Sequence, residues 1–87
     1  MIDQLKERIR SCLRDADEAY EDEKKLSRLA FNSGGSEEVR YKAMRNQMSN
    51  KRDSLLAEAD ELMLKLQEHG IETFVEQDSV TVRFYTR

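Results

Sequence analysis

From Ile2 to Ala30 one set of positions recurs with steps of three and four in unbroken alternation: Ile2, Leu5, Ile9, Cys12, Ala16, Ala19, Glu23, Leu26, Ala30. Side chains repeating on average every 3.5 residues fall on one narrow stripe of an α-helix, the seam of a coiled coil rather than the broad face of an ordinary surface helix. A β-strand alternates every second residue and cannot gather this set on one side. The spacing predicts a helix over residues 3–30, with Asp3 as its cap. It also demands a second helix to cover the seam, which only Glu23 interrupts. The chain contains no proline, so nothing in it is barred from long helices on that account.

At residues 31–36 the pattern stops in FNSGGS, where two glycines and short polar side chains break helix propagation. A second helix is predicted over 37–69, with Ser36 as N-cap and Glu37 and Glu38 suited to the positive end of the helix dipole. Val39 stands where a capping box would need Glu or Gln. The second seam reads Tyr41, Met44, Met48, then Lys51 or Arg52, then Leu55, Ala59, Leu62 and Leu66, the basic pair marking a stutter. Gly70 supplies a left-handed stop, and Ile71 beyond it can touch Leu66, as a Schellman ending requires.

After Gly70 the period changes from helical to alternating. Ile71, Thr73 and Val75 share one face of a strand, and Val80, Val82 and Phe84 share one face of another. A turn centred on Gln77 and Asp78 would pair Val75 with Val80, Thr73 with Val82 and Ile71 with Phe84. A β-hairpin is therefore predicted over 71–86. A hairpin of this size needs the helices, or another sheet, for support.

Folding the helices back through the loop sets residues opposite one another whose numbers add to roughly 67, so that both seams are consumed. Leu5 then meets Leu62, Cys12 meets Leu55, Ala19 meets Met48 and Leu26 meets Tyr41. The expected fold is mainly α with a small β part (α+β): a long antiparallel helical hairpin, coiled-coil-like, followed by a C-terminal β-hairpin, in one domain over 1–87. Leu13, Tyr20, Leu29, Leu56, Met63 and Leu64 stay outside the seam. The β-hairpin is too short to cover them all along helices of about 45 Å at about 1.5 Å per residue. A homodimer, most simply a dimeric four-helix bundle, or a higher oligomer is expected.

Charged and hydrophobic residues each make up 38% of the chain, a balance that suits amphipathic helices better than a disordered tail. No apolar run reaches the length of a membrane span and the first residues have no signal-peptide core, so a cytoplasmic protein without a membrane partner is expected. The single cysteine, Cys12, sits at a seam position, which favours a buried, inert thiol over a nucleophile. His69, the only histidine, lies in the last turn of the second helix, where capping outweighs catalysis. The acidic run Asp15, Asp17, Glu18, Glu21, Asp22, Glu23 lacks the glycine and ligand order of a calcium loop and reads as a solvated face. No catalytic residues, metal ligands or cofactor are expected, and the chain is read as no enzyme.

Charge is unevenly distributed. Residues 1–23 carry four basic and eight acidic groups, residues 24–52 eight and two, and residues 53–87 three and eight. A basic island thus lies between acidic ends. The hairpin turn gathers Lys24, Lys25, Arg28, Arg40, Lys42 and Arg45 at one tip beside Ser36 and Tyr41, with Phe31 as a further stacking surface. Helix-start amides plus cations are what a phosphate seeks. There is no Walker or dinucleotide motif, and Glu37 and Glu38 oppose an anion. The plainer reading is internal pairing, Asp15 with Arg52 and Asp22 with Arg45, or pairing with a dimer mate, which would fix how helices associate.

The expected function is a non-enzymatic interaction protein that binds and modulates or inhibits another macromolecule. Its chain size and acidic surface resemble those of small bacterial or phage accessory proteins, a likeness of type that no motif carries. Candidate partner contacts are the outer helical stripe, Leu13, Tyr20, Leu56 and Met63, and the terminal strand, Arg83 and Tyr85. One alternative is a binder of a nucleotide or nucleic acid at the basic tip, through Lys24, Lys25, Arg28, Ser36, Arg40, Tyr41, Lys42 and Arg45. Another is an acidic DNA mimic using the carboxylates of 15–23 and 58–61.

Overall fold

The computed structural model describes residues 1–87 as two long helices, α1 (Ile2–Phe31) and α2 (Gly35–Glu68), followed by strands β1 (Ile71–Val75) and β2 (Val82–Thr86). The helices pack antiparallel, and the strands form a two-stranded antiparallel sheet. The molecule is a rod of 55 × 19 × 14 Å. Its mainly α architecture with a small C-terminal β-hairpin is the one the periodicities dictate.

Only three residues, Asn32 to Gly34, separate the helices. Gly35 takes φ +62°, a left-handed conformation that costs a residue with a Cβ, and so explains one of the two glycines. The predicted caps are displaced. Gly34 rather than Ser36 is the N-cap of α2, Met1 rather than Asp3 that of α1, and neither helix start has a side-chain cap. At the other end of α2, His69 is the C-cap and Gly70 takes φ +79°. Leu66 and Ile71 are buried in one cluster, as the Schellman contact requires.

The α1 seam follows the sequence pattern, with Ile9, Cys12, Ala16, Ala19 and Ala30 all buried. Four of the nine buried residues are alanines, which let the helix backbones approach closely but contribute little apolar area. The larger side chains concentrate at the sheet end, where Ile9, Cys12, Leu13, Ala59, Leu66 and Ile71 form the core, supported by Leu5, Leu55, Leu62, Val82 and Phe84.

The α2 seam departs from the predicted one. Its more buried positions run Glu38, Tyr41, Arg45, Met48, Arg52, Leu55, Ala59, Leu62, Leu66, again alternating three and four, so there is no stutter. Met44, assigned to the seam by hydrophobicity, is 42% exposed. Arg45 and Arg52 occupy seam positions instead, since an arginine can lay its aliphatic stem along an apolar surface while the guanidinium reaches the edge. Arg52 donates to Glu23 at 2.6 Å, so the one charged interruption of the α1 seam is answered from the α2 seam. The expected pairs Asp15–Arg52 and Asp22–Arg45 do not form.

The hairpin register differs from the expected one by two residues: Val75 pairs with Val82, Thr73 with Phe84 and Ile71 with Thr86. The Asp78 carboxylate accepts from the amides of Val80 (3.0 Å) and Thr81 (2.8 Å) and from the Thr81 hydroxyl (2.5 Å). Ser79 takes φ +66°, and its amide donates to the Glu76 carbonyl. These contacts make a longer connection than a two-residue turn. An even slip leaves every side chain on its face, so the inward set is preserved. The sheet lies with β1 along α2 and β2 toward α1, where Lys6 and Arg10 stand 5.3 and 5.1 Å from the centroid of the Phe84 ring.

Candidate interaction surfaces

The inward faces of both strands meet the helices, so Glu72, Phe74, Arg83 and Tyr85 face outward by alternation. Phe74 is 55% exposed and Tyr85 52%. Phe74 stands opposite Arg83 and Tyr85 opposite Glu72, which makes the two aromatic residues diagonal neighbours. Ion pairs frame them on both sides, Arg83 to Glu76 at 2.6 Å and Arg87 to Glu72 at 2.8 Å. Phe74 was not among the sequence-derived candidates. The signal was present: an aromatic residue at the outward position of a strand whose alternate residues point in.

The outer helical stripe is only partly available. Leu13 is buried in the core, and Met63 is half-buried against it. Tyr20 and Leu56 remain exposed just beyond the hairpin turn, bordering a shallow cavity of about 400 Å³ together with Leu13, Arg52, Asp78 and Ser79. The Tyr20 ring is flanked by Lys24 at 4.8 Å and Arg52 at 5.3 Å from its centroid, two cation–π contacts that hold the ring in place.

At the opposite end, the short loop brings the end of α1 and the start of α2 together. Of the six cations there, Lys24 pairs with Glu21 (3.1 Å) and Lys42 with Glu38 (2.9 Å) along their own helices. Lys25, Arg28, Arg40 and Arg45 have no carboxylate within ion-pair distance. Tyr41 is half-buried in the seam, and Ser36 lies inside the first turn of α2. Phe31 and Val39 are the most exposed apolar side chains of this tip.

Cys12 is fully buried, and its thiol donates to Glu58 Oε2 at 2.7 Å, while Arg8 holds the same oxygen at 2.6 Å. Burial, reinforced by the hydrogen bond to the Glu58 carboxylate and its charge, pushes the thiol up to about 11. The hydrogen bond from Cys12, aided by Arg8, holds the Glu58 carboxyl below its ordinary range. A thiol held neutral beside a carboxylate is a poor nucleophile. No three His, Cys, Asp or Glu side chains converge to hold a metal, and no helix is long and apolar enough to cross a membrane.

No protein-family model, no curated protein and no solved structure gives a significant match to this chain.

Proposed function

We propose that the chain is a non-enzymatic interaction module that binds another macromolecule and thereby modulates or inhibits it. The observation that carries this reading is the aromatic pair on the outer face of the sheet. Phe74 and Tyr85 expose more than half their surface, are held on a hairpin braced by Phe84 and the Asp78 turn, and sit within a rim of ion pairs. Rigid aromatic anchors within a polar rim are the composition of binding hot spots. The test is affinity capture from native lysate with the wild-type chain and with Phe74→Ala and Tyr85→Ala variants, helicity being checked by circular dichroism. A protein retained by the wild type and lost by both variants is the expected result; equal retention by all three, or none by any, overturns the proposal.

A second reading has its own support in the tip, where Lys25, Arg28, Arg40 and Arg45 are left without internal partners. There the chain would hold a nucleotide or nucleic acid, with affinity falling steeply as salt is raised. Fluorescence anisotropy with labelled oligonucleotides should show binding at low salt that is lost on changing Arg40 and Arg45 to Glu. Absence of binding at low salt refutes it. Association of two copies along Tyr20 and Leu56 into a four-helix bundle is a further use of the stripe. Sedimentation equilibrium showing the mass of a single chain at the highest soluble concentration would dismiss it.

A further inference from the structure

We infer that the open edge of β1 accepts an extended, basic segment of a partner protein as a third strand of the sheet. This rests on the proposal that the chain acts by binding protein, and it specifies where and with what chemistry.

The hydrogen-bond phase of the hairpin shows which groups the edge offers. The amide of Arg87 donates to the Gly70 carbonyl and that of Glu76 to the Thr81 carbonyl, both at 2.9 Å. In an antiparallel pair, bonded and non-bonded residue pairs alternate. The bonded pairs are then 70–87, 72–85, 74–83 and 76–81 in this register. The N–H and C=O groups of Ile71, Thr73 and Val75 therefore point away from β2, and those of Val82, Phe84 and Thr86 point away from β1.

The two edges differ in what flanks them. Beside β2 stand Lys6 and Arg10, drawn over Phe84, and Arg14, long side chains of the kind that discourage an added strand, with Asp17 and Glu18 lining the same depression. Beside β1 a groove of about 480 Å³ runs between the strand and α2, with Met63, Leu64 and Ile71 contributing apolar surface. Leu64 is 61% exposed although it adjoins the core end of the rod. Thr73 also lines this groove, and its Oγ1 is buried without any hydrogen-bond partner. A buried hydroxyl left unpaired is destabilising, and it marks this face of β1 as incompletely satisfied in the isolated chain.

Charge selects the occupant. Asp60 and Glu72 border the groove, Glu72 being held by Arg87, and on the adjoining stretch of α2 Asp60, Glu61 and Glu68 have no ion-pair partner and outnumber the one cation there, Lys65. Residues 53–87 carry three basic and eight acidic groups. A second copy seated across a two-fold axis at Thr73 would bring these carboxylates toward their own equivalents. A partner strand with apolar residues turned toward Leu64 and Ile71, and Lys or Arg on the other face and at its ends, complements both the groove and its rim. Main-chain hydrogen bonds to Ile71, Thr73 and Val75 give such a complex its affinity, and the side chains its specificity.

The test uses the full chain with two short probe peptides, one alternating Val and Lys and one alternating Val and Glu, followed by amide NMR. The Val-Lys peptide should shift and protect the amides of Ile71, Thr73 and Val75, bind less tightly as salt rises, and weaken by about tenfold or more in Leu64→Lys. Leu64 is exposed, so this variant keeps the fold; Thr73→Pro, which removes an amide donor that β2 does not use together with the buried hydroxyl, is the second probe of the edge and should weaken the Val-Lys peptide likewise. Equal binding of both peptides, or shifts confined to the tip or to Val82, Phe84 and Thr86, overturns the inference. So does a rise in mass with the same amide shifts when the chain is concentrated alone, since the occupant would then be a second copy. Cellular protein captured equally by wild type and Leu64→Lys, yet lost with Tyr85→Ala, also overturns it while leaving the interaction function standing. Capture by no form of the chain would instead defeat that function itself.

Discussion

Replacing Glu23 and Arg52 together with leucine should make the protein more stable, although it removes an ion pair. Each residue occupies a seam position, their side chains are 22% and 27% exposed, and they meet at 2.6 Å. Opposite charges about 4 Å apart gain about 4 kcal/mol at an effective dielectric of about 20. Desolvation and ordering of two long side chains offset most of this, leaving a coupling of about 1 kcal/mol, at the upper end for exposed pairs. Two leucines at the same positions complete an apolar stripe from Leu5 to Leu26 and from Met48 to Leu66. The net gain expected is about 1 kcal/mol, at the low end of the range of about 1–4 for fully buried ion pairs replaced by apolar residues, because this pair is only partly buried. For a chain of this size that is a rise in melting temperature of about 6 °C, at about 4–8 °C per kcal/mol. Single changes to Ala should both destabilise, Arg52→Ala more, because Arg52 also covers the Tyr20 ring. Urea and thermal unfolding followed by far-UV circular dichroism, for wild type, both singles and the double Ala variant, give the coupling energy. A coupling indistinguishable from zero, or a Leu–Leu variant less stable than wild type, would refute the seam described here.

Leu66→Ala should cost about 2–5 kcal/mol, because Leu66 is fully buried among Ile9 and Ile71, whereas Met44→Ala should change unfolding free energy by no more than about 0.5 kcal/mol; comparable losses would restore Met44 to the seam. Cys12 should resist alkylation in the folded chain and react once urea unfolds it; because its pKa is raised to about 11, its contribution to stability is present below the ordinary thiol value and lost as pH rises from about 9 through about 11, which unfolding titrations on wild type and Cys12→Ala would show. The Thr81 hydroxyl, then the Thr81 and Val80 amides, hold the Asp78 carboxyl below its ordinary range. Its contribution is therefore complete above about pH 4 and falls away as pH drops through the lower folded value. Asp78→Ala should abolish that acid dependence and speed hydrogen exchange at Val80 and Thr81; unchanged exchange at both would show that the carboxylate does not hold the turn.

Much of this fold is legible residue by residue, and the misreadings have physical causes. The three-four spacing of α1 needs no context, because small and apolar residues at those steps have only one helical face to share. In α2 the same rule failed where hydrophobicity competed with period. Met44 outranks Arg45 as an apolar residue, yet Arg45 keeps the alternation and its stem can lie in the seam. The strand faces were readable, whereas the hairpin register was not. Either register puts Ile71, Thr73, Val75, Val82 and Phe84 inside, and the choice depends on Asp78 closing a longer loop. Among the candidate contacts, Tyr20, Leu56, Arg83 and Tyr85 are exposed, while Leu13 is buried in the cluster that Ile71, Val82 and Phe84 of the strands join. No periodicity within one helix reveals what a later element will cover.

The sequence by itself determined the two helices, their antiparallel return through a glycine loop, the two strands and the inward face of each, because period, glycine conformation and alternation are local properties of the chain. Only the tertiary structure decided which charges stay free. Glu23 and Arg52 are far apart in sequence and meet because both seams converge, while Lys25, Arg28, Arg40 and Arg45 are left unpaired because no carboxylate comes within ion-pair distance of them. It also decided the inequality of the two sheet edges. Lys6 and Arg10 happen to reach Phe84 on one side, and the other side runs past Leu64 and an unpartnered Thr73 hydroxyl. Those differences arise from how the β-hairpin sits on two helices, a long-range arrangement that no window of the sequence contains.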